Sequence, residues 1–308
     1  MTLVDFWTYS CVNCLRTLPA LRAWHARYRG AGLRVLGVHT PEFPFEREPA
    51  NVARALGELA VEYPVVLDND RAIWERFANR YWPHRYLIDP SGRIRHEHIG
   101  EGGEAATERA IRALLAEAVP GEGLPDPVYL AGGGAAAGGE EAASAMGAVC
   151  KPGTPELFAG YYRGVSGNPG GFREDEATLY TDPGGYREGY IHLQGRWRVD
   201  ADAAHFTGPE PGYLRVAYRG DEINAVLGPD SPDAPVRLRA GRTGLTVPPG
   251  RTEELPRGIT LAVDAPRLYP LGGFGVNAER DDGLPVLTLV PSGPGLAVYS
   301  FTFGACAP

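Results

Sequence analysis

Cys11 and Cys14 are the residues with the most chemistry to offer. They follow a short apolar run, Leu3-Val4-Asp5-Phe6-Trp7. They open a stretch in which Leu15, Leu18, Leu21 and Trp24 recur at helical spacing. A strand-to-helix junction puts Cys11 at a helix N-terminus, where free backbone N–H groups and the helix dipole favour a thiolate. Cys14 falls on the same side and can resolve a mixed disulfide formed by Cys11. The alternatives are a purely structural bridge or half of a zinc site. The zinc site needs two more ligands, and no second Cys-x-x-Cys exists. His96 and His98 share a strand face but have no third ligand, so no metal is expected. The only redox group expected is the Cys11–Cys14 disulfide, with no added cofactor.

Asp5 interrupts an apolar strand, where an unpaired carboxylate is costly and its pKa should rise. Beside Cys14 it could accept that thiol's proton during resolution. The other readings are a hydrogen-bonded structural carboxylate or an aspartate facing solvent on an edge strand. Trp7 is expected to pack against the active-site loop and to contribute to substrate binding.

These residues need a scaffold, and the pattern supplies an alternating one. Strands are predicted over 3–7, 33–38, 65–67, 86–88 and 94–99, and helices over 11–28, 51–59, 72–77 and 104–118. The order predicts a partly parallel sheet with helices on both faces, its last two strands forming an antiparallel hairpin. The composition then changes. Gly and Pro account for 15 of residues 1–119 but 54 of the 189 that follow. Residues 120–152 are Gly/Ala/Pro-rich and read as a flexible linker. Residues 153–308 carry short alternating runs and no amphipathic helix, which predicts a β-sandwich of about eight to ten strands. One of those runs is expected over 190–193 and another over 196–199. Cys150 and Cys306, near the two ends of this part, are candidates for a structural disulfide.

The first 118 residues resemble the thioredoxin superfamily. The resemblance rests on Val4-Asp5-Phe6-Trp7 before Cys11-Val12-Asn13-Cys14, on Asp5 six residues before the first cysteine, and on Pro19 five after the second. It implies that Asp5 is the buried acid of that superfamily. It also implies that Pro83, in Tyr81-Trp82-Pro83-His84, is its cis-proline beside the cysteines. Trp82 would then shape the docking surface, its backbone open to strand-like pairing with a bound peptide. The segment Thr40-Pro41-Glu42-Phe43-Pro44-Phe45-Glu46 resembles the insertion of TlpA- and ResA-type thioredoxins. A fuller resemblance, to the soluble part of DipZ-like proteins, adds Asn79-Arg80-Tyr81-Trp82-Pro83, Thr154-Pro155-Glu156-Leu157, Gly195-Arg196-Trp197 and Phe301-Thr302-Phe303-Gly304.

In that family a CcdA-type membrane domain precedes a thioredoxin-like domain and a jelly-roll sandwich resembling carbohydrate-binding modules. The resemblance implies a protein-disulfide oxidoreductase of the cell envelope, running reductively on disulfide-bearing clients. A CcdA-like transmembrane thiol carrier would feed it, in the manner of cytochrome c biogenesis. The membrane domain and the hairpin that usually precedes the first active-site strand are not in this sequence. The carrier is therefore expected from a missing upstream segment or from a separate protein.

Other classes are weighed against this. A peroxiredoxin needs Pro-x-x-x-Thr-x-x-Cys; Thr8 and Cys11 fit, but Val4 stands at the proline position. An envelope glycan-binding protein would place its ligand on sandwich aromatics such as Trp197, Tyr213 or Tyr218. A net charge of −8 without a basic block argues against nucleic acid as a partner. No run approaches the roughly 18 apolar residues of a membrane span, and no signal peptide is visible.

Overall fold

The computed structural model describes residues 1–118, 123–129, 153–220, 222–243, 258–272 and 284–304. The chain divides into two compact units, Met1–Ala148 and Val149–Pro308.

The first unit is built on a five-stranded sheet in the order β3-β2-β1-β4-β5. Its strands are β1 (Thr2–Trp7), β2 (Arg34–His39), β3 (Val65–Leu67), β4 (His84–Ile88) and β5 (Ile94–Ile99). β1, β2 and β3 are parallel, β4 runs antiparallel to β1, and β4 and β5 form the expected hairpin. The helices are α1 (Val12–Tyr28), α2 (Pro49–Glu58), α3 (Ala72–Arg76) and α4 (Glu104–Ala118). Alternation along β1 divides the core in two. Leu3 and Trp7 pack with Leu18, Leu21 and Trp24 of α1 and Ile111 of α4, whereas Val4 and Phe6 pack with Trp74 of α3 and Tyr86 of β4. Asp5 shares the face of Leu3 and Trp7, so it points toward α1.

The expected linker of 120–152 is not loose where the structure describes it. Val128 and Tyr129 donate backbone N–H bonds of 2.7 and 2.6 Å to the buried Glu108 of α4. The Tyr129 ring meets Trp24 edge-on at 5.9 Å. The Glu108 carboxylate and the Trp24 ring therefore hold 128–129 against α4 and α1 despite the Gly/Pro-rich composition of the segment. Cys150, Cys306 and the Gly/Ala run lie outside the described residues.

The second unit is all β among the described residues. Its strands are β6 (Leu157–Phe158), β7 (Ala177–Tyr180), β8 (Ile191–Val199), β9 (Ala204–Phe206), β10 (Tyr213–Ala217) and β11 (Glu222–Pro229). They continue with β12 (Val236–Thr243), β13 (Ile259–Val263), β14 (Arg267–Gly272), β15 (Val286–Pro291) and β16 (Leu296–Gly304). The path is β13-β12-β15-β10-β8-β9-β16-β11-β14, with β6 on β16 and β7 on β8. These eleven strands exceed the eight to ten expected. The additional ones are short, or carry a proline as β14 does at Pro270 on the edge, where a missing N–H is tolerated.

The expected strands 190–193 and 196–199 are one strand. The first half of β8 pairs with β10 and the second half with β7 and β9, so it links two limbs of the sheet. The change of direction falls at Gly195, with φ +90°. A Cβ there would come within 2.9 Å of the Gly212 Cα, so only glycine fits the corner. The inner faces of both limbs share one core, including Leu193, Trp197, Leu214, Leu238, Leu289 and Phe301.

Packing absorbs the aromatics considered as a glycan platform, Trp197 and Tyr218 into that core and Tyr213 beside Asp182 and Arg215. Trp197, Tyr213 and Tyr218 are all buried. The Trp197 indole donates to the Gln194 carbonyl at 2.8 Å, and the Tyr213 hydroxyl to Asp182 at 2.7 Å. Tyr218 stacks on Phe303.

Candidate active site

Cys11 ends the loop after β1 and is the N-cap of α1, with extended backbone at φ −82° and ψ 115°. Its partly exposed sulfur accepts the Cys14 backbone N–H at 3.3 Å. The helix start thus points a donor at the sulfur that the sequence nominates as nucleophile. Cys14, one turn in, is fully buried. Burial first, then the hydrogen bond and charge of Cys11, hold its thiol well above the usual range. The charge of Asp5 adds to this, and a hydrogen bond to the Thr8 backbone opposes it. A partly exposed cysteine beside a buried one gives the pair distinct reach: one can meet a partner, the other only its neighbour.

Asp5 is also fully buried, and neither carboxylate oxygen has a hydrogen-bond partner among the described residues. Burial raises its pKa to about 7, against the pull of the Arg85 guanidinium. Arg85 was not anticipated. The β1–β4 register sets it opposite Asp5, and it is anchored by bonds to the Gly102 carbonyl at 2.5 Å and the Gly100 carbonyl at 3.4 Å. Nothing in the local sequence marks Arg85, because its meaning depends on strand register. Long-range charge and burial together place the Asp5 carboxyl in the range where it exchanges protons near neutral pH.

Pro83 is buried and the Trp82–Pro83 peptide is cis. Trp82 is half-buried, its ring 4.4 Å from that of Trp74, and the Arg71 guanidinium lies 5.4 Å from its centroid. Both Trp82 and Cys11 pack against the cluster that contains Cys14. Trp7 is fully buried and lies edge-on to His39 at 5.5 Å, inside the core beside the active-site loop. The strongly hydrophobic β1 carries it into the core.

A second group missed by the sequence reading lies under the Thr8-Tyr9-Ser10 turn. Glu46, on the 3-10 turn Pro44–Arg47, is fully buried. One carboxylate oxygen accepts the hydroxyls of Thr8 and Ser10, and the other accepts the backbone N–H groups of Glu42 at 2.6 Å and Phe43 at 3.0 Å. His39 lies beside the turn, stacked on Tyr9 and 3.3 Å from the Thr8 hydroxyl. Burial lowers its pKa to about 4, so it is neutral. The extra length of the Thr40–Glu46 segment is the only sequence signal for this clamp. Among the described residues no group of side chains is arranged to hold a metal ion.

With this geometry in place, similarities to known proteins can be set beside it. Residues 1–97 match the AhpC/TSA family and residues 154–304 match the thioredoxin-like C-terminal domain family. The chain is 32% identical over 304 residues to Protein DipZ of Mycobacterium bovis, covering 99% of this chain and 39% of that protein. It is 30% identical over 116 residues to the thiol-disulfide oxidoreductase YkuV of Bacillus subtilis, covering 38% of this chain and 78% of that one. Among solved structures it is similar to a thioredoxin-like protein in the oxidised form, at 30% identity and a TM-score of 0.35. That match covers 38% of this chain and 78% of the other. The chain thus spans well under half the length of the DipZ protein it matches.

Proposed function

From the premise that the first unit is a thioredoxin-like domain of the AhpC/TSA family, we propose that this chain is a thiol-disulfide oxidoreductase. The observation that carries the proposal is the pairing of a partly exposed helix-capping Cys11 with a buried Cys14 above the buried acid Asp5.

In the reductive direction the Cys11 thiolate attacks a client disulfide. One S–S bond breaks, a Cys11–client bond forms, and the first client sulfur leaves as a thiolate. The Cys14 thiol gives its proton to the Asp5 carboxylate and attacks the Cys11 sulfur. The second client thiolate leaves, and the protein holds the new disulfide. Two electrons pass to the client and none to a cofactor. Trp82 and Pro83 supply the client-facing edge, and Trp7 holds the loop from below.

The similarity to DipZ supports an extracytoplasmic setting, with disulfide-bearing proteins as clients and a CcdA-type membrane thiol carrier as electron source. No helix among the described residues is long and apolar enough to cross a membrane. The test is trapping. Cys14→Ser should accumulate a mixed disulfide with a client, because the first attack succeeds and resolution does not, and Cys11→Ser should accumulate none. Equal trapping by both variants would reject the assignment.

A further inference from the structure

The strand registers bring four segments to one edge of the first sheet. Trp7 pairs with His39 and His39 with Leu67, so β1, β2 and β3 end side by side. Cys11 follows the first of these ends, Pro41 the second and Arg71 the third. β4 runs the other way and starts at the same edge, with His84 opposite Phe6, so Trp82 and Pro83 enter there as well. In open α/β sheets the carboxyl ends of the parallel strands are where ligands bind.

Arg71 holds a cation at this edge. Its guanidinium lies 5.6 Å from the centroid of Trp74 and 5.4 Å from that of Trp82, and it donates to the Pro41 carbonyl at 3.0 Å. Trp82 also packs against the cluster of Cys14, as Cys11 does, so one indole links the guanidinium to the cysteines. The Arg71 backbone is left-handed, at φ +60° and ψ +20°. That conformation is uncommon for a residue with a Cβ and concentrates at functional sites. The charge has no counter-ion in the chain: among the described residues no carboxylate forms an ion pair with Arg71. The neighbouring acids are engaged by other donors. Asp68 accepts the backbone N–H groups of Ile73 at 2.8 Å and Trp74 at 2.9 Å, and Asp70 accepts that of Ala72 at 3.2 Å. Arg71 is half-buried, so stacking fixes the guanidinium while its fork keeps donors suited to a carboxylate. Tyr81, just before Trp82, is 52% exposed and offers apolar contact on the same surface.

We propose that Arg71 determines client specificity: it receives a carboxylate that the client carries close to its reacting cysteine, so acidic client segments are preferred. The inference rests on the reading of this chain as an oxidoreductase whose client-facing edge includes Trp82. A client segment that pairs along the Trp82 backbone is extended. The residues flanking its cysteine then pass the indole and come to the guanidinium. A glutamate or aspartate there meets an uncompensated cation, and a lysine meets a like charge. Arg71 transfers no proton and no electron. It acts on encounter and docking, and the exchange at Cys11 and Cys14 is unchanged in its steps.

The test compares synthetic peptides that share one disulfide and differ only in Glu, Gln or Lys beside a cysteine. The reduced full-length protein is mixed with each at low salt, and its oxidation is followed by tryptophan fluorescence. The Glu peptide should react at least about tenfold faster than the Lys peptide, with the Gln peptide between them. The ratio should shrink at high salt. Arg71→Gln should bring the ratio close to one, and Arg71→Glu should invert it. Each ratio is taken within one variant, so loss of folded protein cancels, and a packing defect does not give inversion. Equal rates for the unsubstituted protein overturn the proposal, and so does a Glu preference that persists in Arg71→Gln. A second measurement leaves Arg71 in place. In the mixed disulfide of Cys14→Ser with the Glu peptide, the Arg71 side-chain N–H resonance should move from its position with the Gln peptide; coincident resonances overturn the contact. If no peptide oxidises the protein, the oxidoreductase reading fails and the inference falls with it. If all three react at one rate, that reading stands and the role of Arg71 alone is lost.

Discussion

Asp5 shows how one residue couples catalysis to stability. Its carboxyl titrates near 3.8 in an open chain and about 7 when folded and buried. Between those values the folded protein holds a proton that the unfolded chain has released. The stability this gives is complete below pH 4 and is lost as pH rises through 7. Above that, folding must bury a charge with Arg85 as its only named counter-charge. Asp5→Asn removes the titration. In urea unfolding of the reduced full-length protein, the variant should gain up to about 4 kcal/mol over the unsubstituted chain on moving from pH 4 to pH 8. A gain that does not change with pH would show that the buried charge carries no cost. Turnover should fall in the same variant, so the residue that weakens the fold is the one that serves the thiol.

The active-site turn illustrates the element scale. Thr8-Tyr9-Ser10 joins β1 to α1 and determines where Cys11 stands. It is held from below by Glu46, which belongs to the 3-10 turn between β2 and α2. Four donors converge on that carboxylate. Burial raises its pKa and the four hydrogen bonds oppose the rise. Glu46→Ala strands two hydroxyls and two backbone N–H groups in the interior. It should destabilise the first unit by about 3 kcal/mol or more, as breaking a buried network does. Glu46→Gln retains an oxygen for Thr8 and Ser10 but offers an NH2 group toward the Glu42 and Phe43 donors, so an intermediate loss is expected. Thermal unfolding of the two variants measures this. Equal, near-zero shifts would mean the carboxylate is not a clamp.

At the scale of the whole molecule the two units lose stability over different pH windows. The sandwich contains a histidine held as a cation. His205 on β9 is bonded through Nδ1 to Asp230 at 2.6 Å and through Nε2 to Asp200 at 2.8 Å. Arg198 and Tyr299 also face this group. Burial lowers the His205 pKa, but the two carboxylates outweigh it and push the value up to about 9. The native charge therefore stabilises the second unit fully below the ordinary 6.5, and that contribution fades as pH rises to 9. A loss of roughly 3 kcal/mol is expected over that window. In calorimetry of the full chain, the transition of the second unit should fall across it, and His205→Gln should remove the slope. A slope retained in His205→Gln would assign the pH dependence to another group.

What the sequence by itself determined is local. Hydrophobic periodicity located the five strands and four α-helices described in the first unit within a few residues, because each is specified by its own apolar face. The spacing of Cys11, Cys14 and Pro19 shows a strand-to-helix junction with two thiols on one side, since helical pitch alone decides which side they share. The tertiary structure decided everything that depends on register and burial. Arg85 faces Asp5 only because β4 pairs antiparallel with β1. Glu46 meets Thr8 and Ser10 across more than thirty residues of chain. Trp7, Trp197, Tyr213 and Tyr218 carry the same residue types as exposed binding aromatics, and only packing shows them to be core. In the sandwich, one strand serves two limbs of the sheet because Gly195 bends it. Periodicity is set by neighbours along the chain, whereas these pairings are set by distant segments, and no local pattern encodes them.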